Sequence, residues 1–89
     1  MNTLDPRLPA VAPQLAALAV SHPLLHDFLR QLALTEHDAN MRALICWKVD
    51  GYLCALYWLR QLTSGRYLEV SAELMALHAP LPLEQGAAQ

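Results

Sequence analysis

Residues 35–65 decide the fold, and they read TEHDANMRALICWKVDGYLCALYWLRQLTSG. Thr35 is a good helix N-cap, and acidic residues follow it in the first turn, where the helix dipole favours carboxylates. No proline interrupts the stretch. Gly51 alone weakens its helical pattern before Gly65, which suits the left-handed position just after a helix. The sequence therefore predicts one helix over 36–62, with a length of about 27 residues.

This long helix is apolar on two nearly opposite faces. Its main apolar face combines residues that recur at helical spacing, namely Met41, Leu44, Ile45, Val49, Tyr52, Ala55, Leu56, Leu59 and Leu62. We expect this face to pack on the rest of the chain. Truncating one of its side chains, as in Leu59→Ala, should then cost about 2–5 kcal/mol of stability.

The other face carries both tryptophans of the chain. Trp47, Gly51, Cys54 and Trp58 follow one another at intervals of four, three and four residues, which is a heptad-like register. We call these four residues the Trp seam. The two small residues between the two indoles form a shallow slot that lets another helix approach closely, and Tyr57 is adjacent to it in the chain.

Two interpretations of the Trp seam are open. A central helix that is apolar all round is expected where its neighbours in a small bundle surround it. Alternatively, short helices cannot cover both faces of a rod about 40 Å long, so the seam meets another polypeptide. The enrichment of Trp at binding hot spots favours the second interpretation.

Three shorter helices are predicted around the long one, at 13–20, 22–34 and 67–78. Pro13 suits the first turn of a helix, and Ser21 is typical of an N-cap. No segment has the alternating pattern of a strand. The sequence thus predicts a single all-α domain over 1–89, a small bundle of four helices built on the long central one, with flexible tails at 1–8 and 80–89.

Composition and charge narrow the classes of function. The 89 residues are 55% hydrophobic and 16% charged, which is typical of a globular chain with much apolar surface. Six basic and eight acidic residues give a net charge of -2. We therefore expect no nucleic-acid or membrane partner, because a chain of net negative charge has no general electrostatic attraction to nucleic acid or to an anionic membrane. Five of the six basic residues are Arg, which hints at a GC-rich bacterial or phage genome.

The cysteines and the lengths of the apolar runs predict a soluble, cytoplasmic protein. Cys46 and Cys54 lie eight residues apart on one predicted helix. Their Cα atoms are then about 12 Å apart, beyond the ~7 Å limit for a disulfide. Free thiols suit a reducing cytoplasm. The apolar stretch 8–20 is a poor signal peptide because Pro9 and Pro13 interrupt it, and no run reaches the ~20 residues of a membrane span.

Motifs for catalysis and for cofactors are lacking in the sequence, so neither an enzyme nor a cofactor is predicted. His22 and His26 have the spacing of two ligands to one metal, but a definite third ligand is missing and no metal site is predicted. The turn at 62–65 resembles that of a helix-turn-helix, although Arg66 is the only cation of its second helix. A metal-binding helical protein and a small transcriptional regulator therefore remain alternatives.

The sequence favours a small module for protein–protein interaction. It would act as an adaptor, inhibitor or chaperone of another bacterial or phage protein, and would also associate with itself as a homodimer. The predicted partner-binding residues are those of the Trp seam together with their neighbour, that is Trp47, Gly51, Cys54, Trp58 and Tyr57.

Overall fold

A computed structural model describes residues 4–35 and 37–78, which form five α-helices with no strand among them. In chain order these helices are α1 (Leu8–Val11), α2 (Pro13–Ala19), α3 (Pro23–Leu34), α4 (Ala39–Trp58) and α5 (Ser64–Ala76). The prediction of an all-α fold is confirmed, with the short α1 added to the expected four. The break after α1 falls at Ala12, with φ -137° and ψ 68°, because a following proline disfavours helical backbone.

The helices enclose one apolar core. α4 lies against α3 and α5, and α2 packs on the other side of the same two helices. No polar or charged side chain is buried among the described residues. Part of the predicted tail at 1–8 belongs to this assembly, because Leu8 is buried and Leu4 packs against the core. The predicted tail at 80–89 lies outside the described residues.

Glu73 of α5 joins the two ends of the described chain. Its carboxylate accepts hydrogen bonds from the backbone N–H groups of Gln14 and Leu15, at 3.1 and 2.8 Å. These groups belong to the first turn of α2, where no residue of the same helix can accept from them. A carboxylate from a distant helix therefore completes the N-terminus of α2 and fixes α5 beside it.

The long helix begins later than predicted. Thr35 is not its N-cap, because the Thr35 hydroxyl donates to the carbonyl of Gln31 at 2.9 Å and closes the end of α3. Asp38 takes the N-cap position of α4, and its Oδ1 accepts from the N–H of Met41 at 3.1 Å. Glu36 lies outside the described residues. A similar shift occurs at α3, whose N-cap is His22 rather than the predicted Ser21.

The long helix also ends earlier than predicted, at Trp58. The N–H of Arg60 donates to Tyr57 O at 3.0 Å, and the N–H of Gln61 donates to Leu56 O at 2.8 Å. This pair of bonds is the Schellman motif, with Arg60 at the left-handed position and a φ of 63°. α4 therefore has 20 residues, and the chain turns back at a residue that is not glycine.

Gly65 does not end the long helix, which corrects the predicted C-cap. It lies in the first turn of α5. The N-cap of α5 is Thr63, whose hydroxyl oxygen accepts from the N–H of Arg66 at 3.1 Å. Turning back at Arg60 allows Leu62 to enter the core just before α5 begins.

The core face of α4 differs from the predicted one. Ile45, Val49, Leu56 and Leu62 are buried as predicted, and Cys46 and Leu53 join them. The predicted core residues Met41, Leu44, Ala55 and Leu59 are exposed instead. Leu59 is 67% exposed, so its predicted place on the core face is wrong and the expected loss of about 2–5 kcal/mol no longer follows.

The positions of α3 and α5 explain this rotation. The Tyr52 ring meets Phe28 of α3 edge to face, with ring centroids 6.4 Å apart. Cys46 packs at the C-terminal end of α5, where its thiol donates to the carbonyl of Leu77, the C-cap residue, at 3.7 Å. The two neighbours thus cover the side of α4 between Tyr52 and Cys46.

None of the described helices is long and apolar enough to cross a lipid bilayer.

Candidate partner-binding surface

The two tryptophans lie on the side of α4 that faces away from its neighbours. Trp47 is 76% exposed and Trp58 is 80% exposed. Gly51 lies between them on the same side, and a Cβ atom built on it would meet nothing within 4 Å. The bundle formed by the described residues therefore does not enclose the indoles, and both are in contact with solvent in the single chain.

Cys54 and Tyr57 lie at the edge of the seam and face α5. The thiol of Cys54 is 3.1 Å from the hydroxyl of Tyr67. The Tyr57 ring stacks on Tyr67 with centroids 4.9 Å apart, and its hydroxyl lies 3.4 Å from that of Ser64. Of the five predicted site residues, three are thus brought together on the exposed side, while these two connect that side to α5.

Both thiols of α4 lie against other residues of the described chain. Burial raises the pKa of Cys46, whose thiol is enclosed in the core. The hydrogen bond with Cys54, followed by burial, raises the pKa of Tyr67, so this hydroxyl stays protonated at neutral pH. A nucleophilic cysteine needs a lowered pKa and a neighbouring base or cation. The arrangement is suited to packing and to weak hydrogen bonding.

Two residues of the exposed side were assigned to the core by sequence reasoning. Leu44 and Ala55 are exposed, and at 100° per residue they lie within about 40° of Gly51 around the helix axis. We define the outer face of α4 as Leu44, Trp47, Gly51, Ala55 and Trp58. The successive spacings of three, four, four and three residues are the signal that sequence analysis could have used.

α4 itself has few charged residues near the outer face. Arg42, Lys48 and Asp50 are the only charged residues of α4. Arg42 belongs to the other side, where its Nε donates to the carbonyl of His78 at 3.0 Å. Lys48 and Asp50, of opposite sign, flank the outer face and are exposed.

A cleft lies at the Trp58 end of the outer face, where α4 turns back toward α5. It has a volume of about 530 Å³ and is open to solvent. Its walls are Tyr57, Trp58, Arg60, Gln61, Leu62, Thr63 and Ser64.

Residues that the metal-binding and DNA-binding alternatives would use make other contacts in the structure. The Nδ1 atom of His22 lies 3.0 Å from the carbonyl oxygen of Leu18. Over residues 4–35 and 37–78, no three His, Cys, Asp or Glu side chains gather as a metal site. In the helix that would read DNA, Glu73 is held at the N-terminus of α2.

Comparison with protein-family models, with curated proteins and with solved structures finds no match to this chain.

Proposed function

We propose that this protein is a small module for protein–protein interaction that acts by occupying another protein, as an adaptor, an inhibitor or a chaperone. The observation that supports this most is the exposure of Trp47 and Trp58 on one side of one helix. Trp is among the residues most enriched at the energetic centres of interfaces. Leaving two indoles in water, when the same helix buries five other residues, suggests a surface kept for a partner.

The size of this surface supports the same proposal. A tryptophan buries about 200–250 Å² in an interface, so two at these exposures offer on the order of 300–400 Å². The largest apolar patch of an ordinary monomer is about 300–600 Å² and is often functional. The two indoles alone thus reach the range in which a patch is used for binding.

The proposal includes no catalytic step, no cofactor and no metal ion. It places the protein in the cytoplasm of a bacterium or of a phage-infected cell, where the free thiols of Cys46 and Cys54 would stay reduced.

The test compares proteins that co-purify from the native host with the wild-type chain and with single variants, identified by mass spectrometry. Trp58→Gln should lose a partner that the wild type retains, since it removes most of an indole from the contact. Val20→Gln is the matched control, because Val20 is 85% exposed at the end of α2, outside the outer face. The proposal fails if Trp58→Gln recovers the same proteins in the same amounts as Val20→Gln.

A further inference from the structure

The outer face of α4 is symmetric about its centre. Trp47 stands four residues before Gly51 and Ala55 four residues after it. Leu44 stands seven residues before Gly51 and Trp58 seven residues after it. The five positions therefore present the same spacing when the helix is read in either direction. Around a two-fold axis at Gly51, each of the five positions would therefore lie level with one of the five on the second copy.

We propose that, in the absence of another partner, a second copy of this chain occupies the outer face, with the two α4 helices antiparallel and crossing at Gly51. The proposal rests on the proposed function, because it names the first occupant of the same surface. A foreign partner then competes with the second copy for the two tryptophans.

The side chains complement one another in this register. Around a two-fold axis at Gly51, Trp47 of one copy faces Ala55 of the other, and Trp58 faces Leu44. Each indole thus meets a smaller side chain, as in well-packed interfaces where large and small residues alternate. A parallel pair would instead place Trp against Trp, and the bulky ends would hold the central part of the helices apart.

Packing among the described residues does not require a glycine at position 51. Gly51 lies in the interior of α4, where glycine weakens a helix relative to alanine. Open space surrounds its Cβ position, so no described residue requires the missing side chain. Two helices that cross at this point do require it, since close approach of two backbones depends on a small residue at the crossing.

The available area agrees with a reversible dimer. Leu44 and Leu59, which are 45% and 67% exposed, add to the indoles and bring the apolar area to on the order of 500 Å² per chain. Full burial of these side chains in two copies amounts to about 1,000 Å² before polar residues at the rim are counted, which is the size of weak, reversible interfaces. Lys48 and Asp50 differ in sign, so pairing two outer faces does not gather charge of one kind.

The first test measures molar mass by light scattering and sedimentation. The wild type should have twice the 9.9 kDa of the chain, and dilution should shift its tryptophan emission to the red because both indoles leave the interface. Gly51→Leu should reduce the mass to that of one chain, with helix content unchanged. Gly65→Leu is the matched control, since Gly65 also has open space around its Cβ position and lies on α5, and it should remain dimeric.

The second test reports the register and does not depend on Gly51→Leu being folded. In a Cys54→Ala chain, Gly51→Cys should form a disulfide between copies on mild oxidation, because the two positions face each other at the axis. Native Cys54 should not cross-link in the wild type. The antiparallel register separates the two Cys54 Cα atoms by about 9 Å along the helix, beyond the ~7 Å limit.

Three outcomes overturn the second copy as the occupant. These are a wild-type monomer at all soluble concentrations, a Gly51→Leu chain that stays as dimeric as Gly65→Leu, and a cross-link at Cys54 in place of Gly51→Cys. A monomer that still loses a host protein on Trp58→Gln would leave the proposed function standing. A dimer whose Trp58→Gln variant loses no host protein would support the second copy as occupant and would contradict the proposed function.

Discussion

The inner and outer faces of α4 are both apolar, yet they differ in what covers them. On the inner face Ile45, Cys46, Val49, Leu53 and Leu56 are buried against α3 and α5. On the outer face Trp47 and Trp58 are among the most exposed large apolar side chains of the described chain. With three charged residues in 20, the helix itself does not distinguish the two faces. The difference is made by where its neighbours lie.

The two faces also differ in the kind of apolar residue that they use. The inner face is mostly aliphatic and contains a thiol, which fills a densely packed interior in a few rotamers. The outer face combines two indoles with Gly51 and Ala55, the combination of large flat anchors and small spacers that is typical of helix contacts between chains. Residue type therefore distinguishes the buried face from the exposed face where hydrophobicity alone does not.

The largest effect is expected at the centre of the inner face. Leu53→Ala removes a side chain with 0% exposure and should cost about 2–5 kcal/mol of unfolding free energy, from the lost burial and the cavity left behind. A urea melt followed by circular dichroism measures it. Leu68→Ala is the matched control, because Leu68 is 68% exposed on α5 and its truncation should change little. Equal losses in the two variants would show that the inner face is misassigned.

Sequence reasoning predicted which parts of the chain are helical but not how α4 is oriented. Helical spacing located the three longer helices to within a few residues, although the predicted caps Ser21, Thr35 and Gly65 are not the actual ones. Spacing also placed Ile45 and Val49 correctly in the core. The error at Leu44 and Ala55 arose because an apolar arc wider than half of the helix has no unique centre. Contacts such as that between Tyr52 and Phe28 set the orientation, and they depend on tertiary packing.

The helix ends show a second limit of local rules. Thr35 has the chemistry of an N-cap, but its hydroxyl is used by the helix before it. Gly65 has the freedom required of a left-handed C-cap, yet Arg60 adopts that conformation with a φ of 63°. Burial of Leu62 requires the chain to turn at this point, and the preference of a single residue does not outweigh it.

A smaller effect, a gain in stability, is expected just after α4, where both of its faces end. Arg60→Gly removes the steric penalty of a left-handed residue with a Cβ atom. After the greater entropy of glycine in the unfolded chain is subtracted, the variant should be more stable by about 0.5–1 kcal/mol. The midpoint of a urea melt measures the gain.

The control for this variant is Gln61→Gly, one residue further along. Only Arg60 has a positive φ among the described residues other than glycine, so Gln61→Gly gains nothing in the folded state and should lose stability. If both variants lose stability, α4 does not end in the turn described above, and that turn does not leave Trp58 and Leu59 exposed to solvent.

The smallest effect is expected for Leu59→Ala, at the margin of the outer face. Leu59 follows the last turn of α4 and is 67% exposed, so its truncation removes little buried area within one chain. In the Gly51→Leu chain, which we expect to be monomeric, Leu59→Ala should change the unfolding free energy by no more than about 0.5 kcal/mol, as for most exposed positions. In the wild-type chain the loss should be larger and should grow with protein concentration, because only the dimer covers this side chain. Urea melts of both pairs at two concentrations separate the contributions. A loss of about 2 kcal/mol or more in the monomeric background would place Leu59 in the core and remove the contrast between the two faces at this end of the helix.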